Sequence, residues 1–256
     1  MSFSQSSRAA SRLVELPRAA STNDELASRA KDASDWPEFS VVVTEEQTAG
    51  RGRLGRTWSA PAGTMVAISV LLRPVSAGIH APDALGWIPL IAGVAMTRAL
   101  VSLGADAELK WPNDVLIGGR KVCGILAEAV APDAVVVGSG VNVGIPADQL
   151  PVPTATSLGI EGVETDADTV LAGYLRELRS FYGAFAEHAG DAADSGVRSA
   201  VVSTCSTIGK DVRVELPGGK ELLGVAQGLD DAGRLVVASD GGLTAVAAGD
   251  VTHLRY

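Results

Sequence analysis

Gly50-Arg51-Gly52-Arg53-Leu54-Gly55-Arg56-Thr57-Trp58 is the stretch on which the reading of the fold turns. Its letters match G-x-G-x-x-G, the dinucleotide fingerprint, and miss the phosphate-loop pattern by one residue, with Arg56 where a lysine would stand. Both motifs work because a helix begins at the glycines and receives the phosphate on its N-terminus. Here Ser59-Ala60-Pro61-Ala62-Gly63 follows, and then Thr64–Leu72, an apolar run that reads as a strand. The acidic residue that would hold a ribose roughly 20 positions on is missing. A nicotinamide or flavin enzyme is therefore disfavoured. The segment instead joins a buried strand at Val41-Val42-Val43 to the next one, with Gln47–Gly63 unable to form regular structure. Three glycines let the backbone approach a ligand, and three arginines offer forked donors suited to carboxylate or phosphate.

On the N-terminal side, Ser11–Leu16 is the first apolar pattern, and Ser21-Thr22-Asn23-Asp24-Glu25 leads into a helix, with Thr22 and Glu25 spaced as a capping box. On the C-terminal side, residues 83–103 place Leu85, Ile88, Ile91, Ala92, Ala95, Ala99 and Leu103 at the spacing of an amphipathic helix. Glu108–Ile117 and Lys121–Val130 read as two strands joined by Gly118-Gly119, Ala134–Val143 as another, and Asp166–His188 as a helix. From residue 207 short alternating segments take over: Asp211–Leu216, a Pro217-Gly218-Gly219 turn, Glu221–Leu229, Leu235-Val236-Val237, Leu243–Ala247 and Val251–Leu254. The expectation is an α+β protein: a mixed β-sheet flanked by helices over 1–206, then a small antiparallel barrel over 207–256.

The 256 residues are 46% hydrophobic and 20% charged, enough for a sizeable core and too apolar for disorder. Twenty-one Lys and Arg against 30 Asp and Glu leave a net charge of −9, which disfavours a broad nucleic-acid interface. Cys123 and Cys205 form no disulfide framework, and His80, His188 and His253 have no zinc spacing. The N-terminus lacks a secretory apolar stretch, and no segment reads as the roughly 20 apolar residues that span a bilayer. A cytoplasmic protein away from membranes is expected.

Three further segments carry chemistry. Lys110-Trp111-Pro112-Asn113-Asp114 ends a strand on a cation; Gly138-Ser139-Gly140-Val141-Asn142 permits close backbone approach; Ser21-Thr22-Asn23 offers hydroxyl and amide groups. Each has a plain structural reading alone. In this order, with Gln47-Thr48-Ala49 before the arginine loop and Lys121-Val122-Cys123-Gly124-Ile125-Leu126-Ala127-Glu128 between, they resemble biotin–protein ligases from about residue 13 onward.

The resemblance implies a class II synthetase-like biotin-lipoate ligase catalytic domain, an SH3-like barrel after it, and an ATP-dependent, AMP-forming ligase. Biotin and ATP would meet with Mg²⁺, and the biotinyl group would pass to a lysine on the biotin carboxyl carrier domain of an acyl-CoA or pyruvate carboxylase. Ser21, Thr22 and Asn23 would meet the ureido ring, and Gln47 would close with the arginine loop over biotin. Gly50, Arg51, Gly52 and Arg53 would close over biotin and its activated carboxyl, Lys110 would sit where carboxylate meets α-phosphate, and Gly124 would leave room for the chain. Arg51, Arg56, Trp58, Lys110, Asn113 and Asn142 would serve ATP and the adenylate. Lys110 and Arg53 are the expected catalytic pair. No protein metal motif is implied; Mg²⁺ would come with ATP.

Cys123, often a small residue in that family, reads here as a small buried hydrophobe. About 20 residues precede Ser21, too few for the DNA-binding unit of some family members, so no repressor activity and no DNA partner are expected, with a monomer or weak homodimer. The alternatives are a lipoate–protein ligase of the same fold and a non-enzymatic nucleic-acid-binding regulator.

Overall fold

Val41, Val42 and Val43 are all fully buried, which a strand allows only when both faces of its sheet are covered. The computed structural model, which describes residues 3–216, 220–247 and 249–254, provides those two covers. The strands are β1 (Arg12–Glu15), β2 (Ser40–Thr44), β3 (Gly50–Arg51), β4 (Thr57–Trp58), β5 (Met65–Leu72), β6 (Ala107–Lys110), β7 (Asp114–Ile117), β8 (Arg120–Ala131) and β9 (Ala134–Asn142). Seven of them form one sheet in the order β1-β2-β5-β9-β8-β7-β6. Only the β1–β2 pair is parallel, so the sheet is mixed as expected.

The helices are α1 (Ser6–Ala9), α2 (Thr22–Arg29), α3 (Ile88–Ser102), α4 (Ala167–Glu187) and α5 (Val197–Thr204). Residues of α3 and α4 pack with Val41, Val43, Val66, Ile68, Val70 and Val137 in the larger core. Leu26 of α2 packs with Val42, Leu71 and Val136 on the opposite face. The period-2 alternation of each strand thus feeds two cores. Beyond Leu26 the second face is left for the site.

Several local expectations are corrected. The cap of α2 is Ser21, whose Oγ accepts the Asp24 N–H at 3.3 Å; Thr22 is already the first helical residue. The 83–103 segment is a 3-10 stretch, Pro82–Trp87, followed by α3. Rather than amphipathic, α3 is buried nearly all round, because sheet, α4 and α5 surround it. Taken together Pro82–Ser102 is long and apolar enough to cross a membrane by length and composition, contrary to the expectation. However, 72% of its apolar window lies inside the fold, as in a core helix. Glu108–Ile117 is not one strand: Trp111-Pro112-Asn113 breaks it into the β6–β7 hairpin, since proline supplies no ladder N–H. Gln47–Gly63 is not wholly irregular either, as β3 and β4 pair across Gly50–Trp58 and Arg51–Thr57.

Two helices carried no readable signal. The four residues of α1 are held by Asp168, whose carboxylate accepts the Gln5 and Ser6 N–H groups, each at 2.9 Å, and the Ser6 hydroxyl at 2.6 Å. α5 follows a left-handed Gly196 (φ 75°).

β10 (Asp211–Leu216), β11 (Lys220–Leu229), β12 (Leu235–Ser239), β13 (Gly242–Val246) and β14 (Asp250–His253) form a five-stranded antiparallel sheet in the order β13-β12-β11-β10-β14. Val212, Val214, Ala226, Leu235 and Val237 bury its inner face. Among the described residues no pairing joins β13 to β14, so the expected barrel is an unclosed sheet, curled at the register shift between Ala226 and Gly228. The expected Pro217-Gly218-Gly219 turn lies outside the described residues.

Candidate functional site

One cross-strand row organises the site. Sheet register pairs Ala67 with Gly140, Gly140 with Gly124, Gly124 with Asp114, and Asp114 with Lys110. Residues directly opposite share a face, and four strand spacings of about 4.8 Å make the row roughly 19 Å long. Ser69, Gly138 and Leu126 form the next row on that face.

The N-terminus of α2 stands over the Ser69–Gly138 end. Ser69 Oγ lies 2.8 Å from Thr22 Oγ1 and 2.6 Å from Asn23 Oδ1, and Asn23 Nδ2 donates to Glu128 at 2.7 Å. The Thr22 N–H donates to Gln47 Oε1 at 2.9 Å. Ser21, Thr22, Asn23 and Ser69 are all buried. A Cβ on Gly138 would stand 2.3 Å from Asn23 Oδ1, so this corner tolerates only glycine without moving Asn23. The result is a small pocket of fixed hydroxyl and amide groups.

The β3–β4 hairpin and its arginines roof the row. Arg51 donates to Asp24 at 2.7 Å and reaches Glu128 at 3.2 Å; burial opposes its charge, but these two carboxylates prevail and raise its pKa. Arg53 Nη1 donates to Asn113 Oδ1 at 3.1 Å. Burial lowers the Arg53 pKa, with Asp114 opposing and Arg56 adding to the effect. Leu54 at the hairpin tip takes a left-handed φ of 57° and is 71% exposed. Trp58 lies flat on the two central glycines: a Cβ on Gly140 would stand 2.5 Å from its indole Cε2, and one on Gly124 3.1 Å from Cζ3.

The other end of the row is cationic. Lys121 pairs with Asp114 at 2.6 Å and lies 5.6 Å from the Trp58 ring centre. Lys110 has no ion pair among the described residues, and burial lowers its pKa, with Asp114 opposing and Lys121 and Arg56 adding to the effect. Asn113 Nδ2 donates to Ile125 O at 2.7 Å. Asn142 Nδ2 donates to Thr156 O at 2.8 Å, holding the 150s loop against the floor. Cys123 is fully buried and its thiol pKa is pushed up by that burial, in keeping with an inert small hydrophobe.

These features share one cleft of about 890 Å³. Every candidate residue named from the sequence lines it except Gly50. Gly50 lies behind the wall, where a Cβ would stand 2.3 Å from Gln47 Nε2 and 2.5 Å from Trp58 O. Gly138, Ser139 and Gly140, read from the sequence as permitting close approach, also line the cleft, as do Lys121, Asp114 and, from the second sheet, Glu215, Thr252 and His253, which had been given no role. Lys121 and Asp114 lay inside quoted motifs, and only strand register shows that they face the row. Nothing in the local sequence of the second sheet pointed toward the cleft.

Residues 16–144 match the Biotin/lipoate A/B protein ligase family, and residues 207–254 match the Biotin protein ligase C terminal domain. The chain is 42% identical over 241 residues to a biotin–[acetyl-CoA-carboxylase] ligase of Mycobacterium tuberculosis, covering 92% of this chain and 86% of that one. A ligase of the same name from Paracoccus denitrificans is 32% identical, with 92% and 98% covered. Among solved structures, a biotin protein ligase from Aquifex aeolicus in complex with biotin and ATP superposes with a TM-score of 0.76 at 27% identity, covering 96% of this chain and all of that one. A polar pocket, a cationic end and the motifs that build both thus accompany a relative matched almost end to end, and the chain belongs to the Biotin/lipoate A/B protein ligase family.

Proposed function

We propose that the protein is a biotin–protein ligase that joins biotin to ATP in this cleft and then passes the biotinyl group to a protein lysine. In the first step a biotin carboxylate oxygen attacks the α-phosphorus of ATP, giving biotinyl-5′-AMP and pyrophosphate. In the second a lysine amine attacks the acyl carbon, an amide forms and AMP leaves. The observation that carries the reading is the row from Ala67, beside the Ser69–Asn23 pocket, to Lys110, about 19 Å long on one sheet face. A ligand with a ureido ring at one end and a carboxylate at the other would place its ring in the pocket, its apolar chain against Trp58 and its carboxylate near Gly124, leaving the Lys110 end of the row for the phosphoryl group it attacks.

In this reading Ser21, Thr22, Asn23 and Gln47 receive the ring. Gly50 and Gly52 leave the hairpin backbone free to close, while Arg51 and Arg53 hold it over the acyl phosphate. Arg56, Trp58, Asn113 and Asn142 serve the nucleotide. Lys110 stabilises the charge that grows on the phosphoryl group. Lys121 is added to these roles, because its ammonium stands beside Gly124, where the biotin chain would end. Mg²⁺ would travel on the triphosphate rather than on protein ligands. The acceptor would be the carrier domain of a carboxylase, consistent with the names of the relatives; a division into a ligase domain, 1–206, and a C-terminal domain, 207–256, and an enzyme working in the cytoplasm as a monomer or weak homodimer complete the proposal.

Incubation with ATP, Mg²⁺, biotin and a carboxylase carrier domain should add one biotinyl mass to the carrier. Lipoate in place of biotin should add none; preferential lipoyl transfer would overturn the assignment.

A further inference from the structure

The three residues that break the β6–β7 hairpin touch both halves of the molecule. On one side the Trp111 indole N–H donates to Gly233 O at 3.2 Å, and the Trp111 backbone N–H donates to Thr207 Oγ1 at 3.1 Å. Thr207 is fully buried, and the same oxygen lies 3.1 Å from His253 Nε2 on β14. A hydroxyl can accept from one group and donate to the other, so Thr207 ties the β6–β7 turn to β14. Ser206 N–H donates to Leu109 O at 2.8 Å, fastening the residue before Lys110 as well. On the other side Asn113 holds Ile125 through two bonds, at 2.7 and 2.9 Å, and receives Arg53 at 3.1 Å.

We infer that Trp111 is a positioning residue: through it the second sheet sets where Lys110 and Asn113 stand, and through Asn113 where Arg53 closes. The inference rests on the adenylation reading and extends it to the part played by the C-terminal sheet. The indole is 2% exposed and seated on a turn that cannot shift independently. Gly86 already lies so close that a Cβ there would stand 2.3 Å from Ala232 O, and Asp230 Oδ1 accepts the Ala232 and Arg234 N–H groups. Lys110 has no ion pair of its own among the described residues, so backbone fixation on either side of it sets its aim. Misplacement of about 1 Å at such a group costs up to 10²-fold in rate.

The same turn provides a control. Trp87 donates its indole N–H to Asp231 O at 2.8 Å, a bond of the same kind to a neighbouring carbonyl, but Trp87 does not line the cleft and is not adjacent in the chain to Lys110 or Asn113. Trp111→Phe and Trp87→Phe each remove one indole donor from the inter-sheet contact. The experiment measures biotinyl-AMP formation, biotin KM and thermal midpoint for the full-length chain and both variants. Wild-type formation of biotinyl-AMP is established first, and its failure would count against the proposed function rather than against this inference. Trp111→Phe is expected to lower kcat for adenylation about 10- to 100-fold with biotin KM within about twofold, whereas Trp87→Phe loses comparable stability and keeps its rate. If Trp111→Phe does not fold, Thr207→Val, which removes the shared hydroxyl, decides by the same split. A Trp111→Phe rate near wild type, or an equal rate loss in Trp87→Phe, would show that the contact only holds the sheets together and overturn the inference.

Discussion

Lys110 carries the most exposed wager at the residue scale, because its charge is held in a partly desolvated place without an ion pair among the described residues. If it stabilises the phosphoryl transition state, Lys110→Ala should lower the single-turnover rate of biotinyl-AMP formation on the order of 10²–10³-fold while leaving biotin binding nearly unchanged. Lys121→Ala is the companion variant: loss of biotin affinity as well as rate would assign Lys121 to the carboxylate. Burial lowers the Lys110 pKa below the usual 10.5, so the working ammonium is lost at lower pH than for a solvated lysine. The free-enzyme parameter kcat/KM for biotin should therefore fall as pH rises through that lowered value. Lys110→Arg should move the alkaline limb upward, and an unmoved limb would assign it to another group. Arg53 tests retention rather than synthesis. Arg53→Gly removes the bond to Asn113 and adds backbone freedom, so adenylate should still form in part and escape, since weakened closure acts mainly on dissociation. Biotin appearing on serum albumin beside the true acceptor is the expected result; a silent enzyme, or labelling of the acceptor alone, would place Arg53 in binding or chemistry.

At the scale of elements, the β3–β4 hairpin is secured by two residue pairs, the Arg53–Asn113 contact and the Arg51 bridges to Asp24 and Glu128. Exposed ion pairs of this kind contribute about 0–1 kcal/mol each. Hydrogen exchange at residues 50–60 should therefore be fast in the free protein and slow when biotin and ATP are added together; equal protection would mean a preformed roof. α1 depends on a different device. Burial pushes the Asp168 pKa up, but the Ser6 hydroxyl and the Gln5 and Ser6 N–H groups outweigh it and hold the carboxyl below its ordinary value of 3.8. A depressed carboxylate contributes stability above that value and loses it as pH falls through the folded pKa. Asp168→Ala should cost about 1 kcal/mol at pH 7, and the gap from wild type should close in acid. A gap in urea midpoint that persists there would mean that packing, not charge, holds α1.

Over the whole molecule, the two sheets share buried tryptophans and a turn seated against α3. Trp87 is fully buried and Trp111 nearly so, and separating the sheets would expose both rings and leave their indole N–H groups without these carbonyl acceptors. Burying one aromatic side chain is worth about 1.5–3 kcal/mol, so independent unfolding of a five-stranded sheet this small is disfavoured. Calorimetry should show one transition, raised by biotin and ATP together; two resolved transitions would mean that the sheets are coupled only loosely.

Much of this was legible in the chain because local signals are short-range. Alternation marked the strands, since a pleat puts successive side chains on opposite faces, and the absence of a helix after Gly55 excluded a dinucleotide fold. The candidate residues came from motifs that are ambiguous singly and whose order and spacing resemble a known family. What tertiary structure alone decided is register and contact. That Lys110, Asp114, Gly124, Gly140 and Ala67 form one row depends on how five strands slide against one another, and a one-residue slip would turn any of them to the other face. The sides of α3 that its periodicity left for solvent are covered by elements distant in sequence. The break at Trp111-Pro112 is visible as a proline, but that the tryptophan beside it reaches Gly233, more than a hundred residues away, follows from packing between two sheets, which no local pattern encodes.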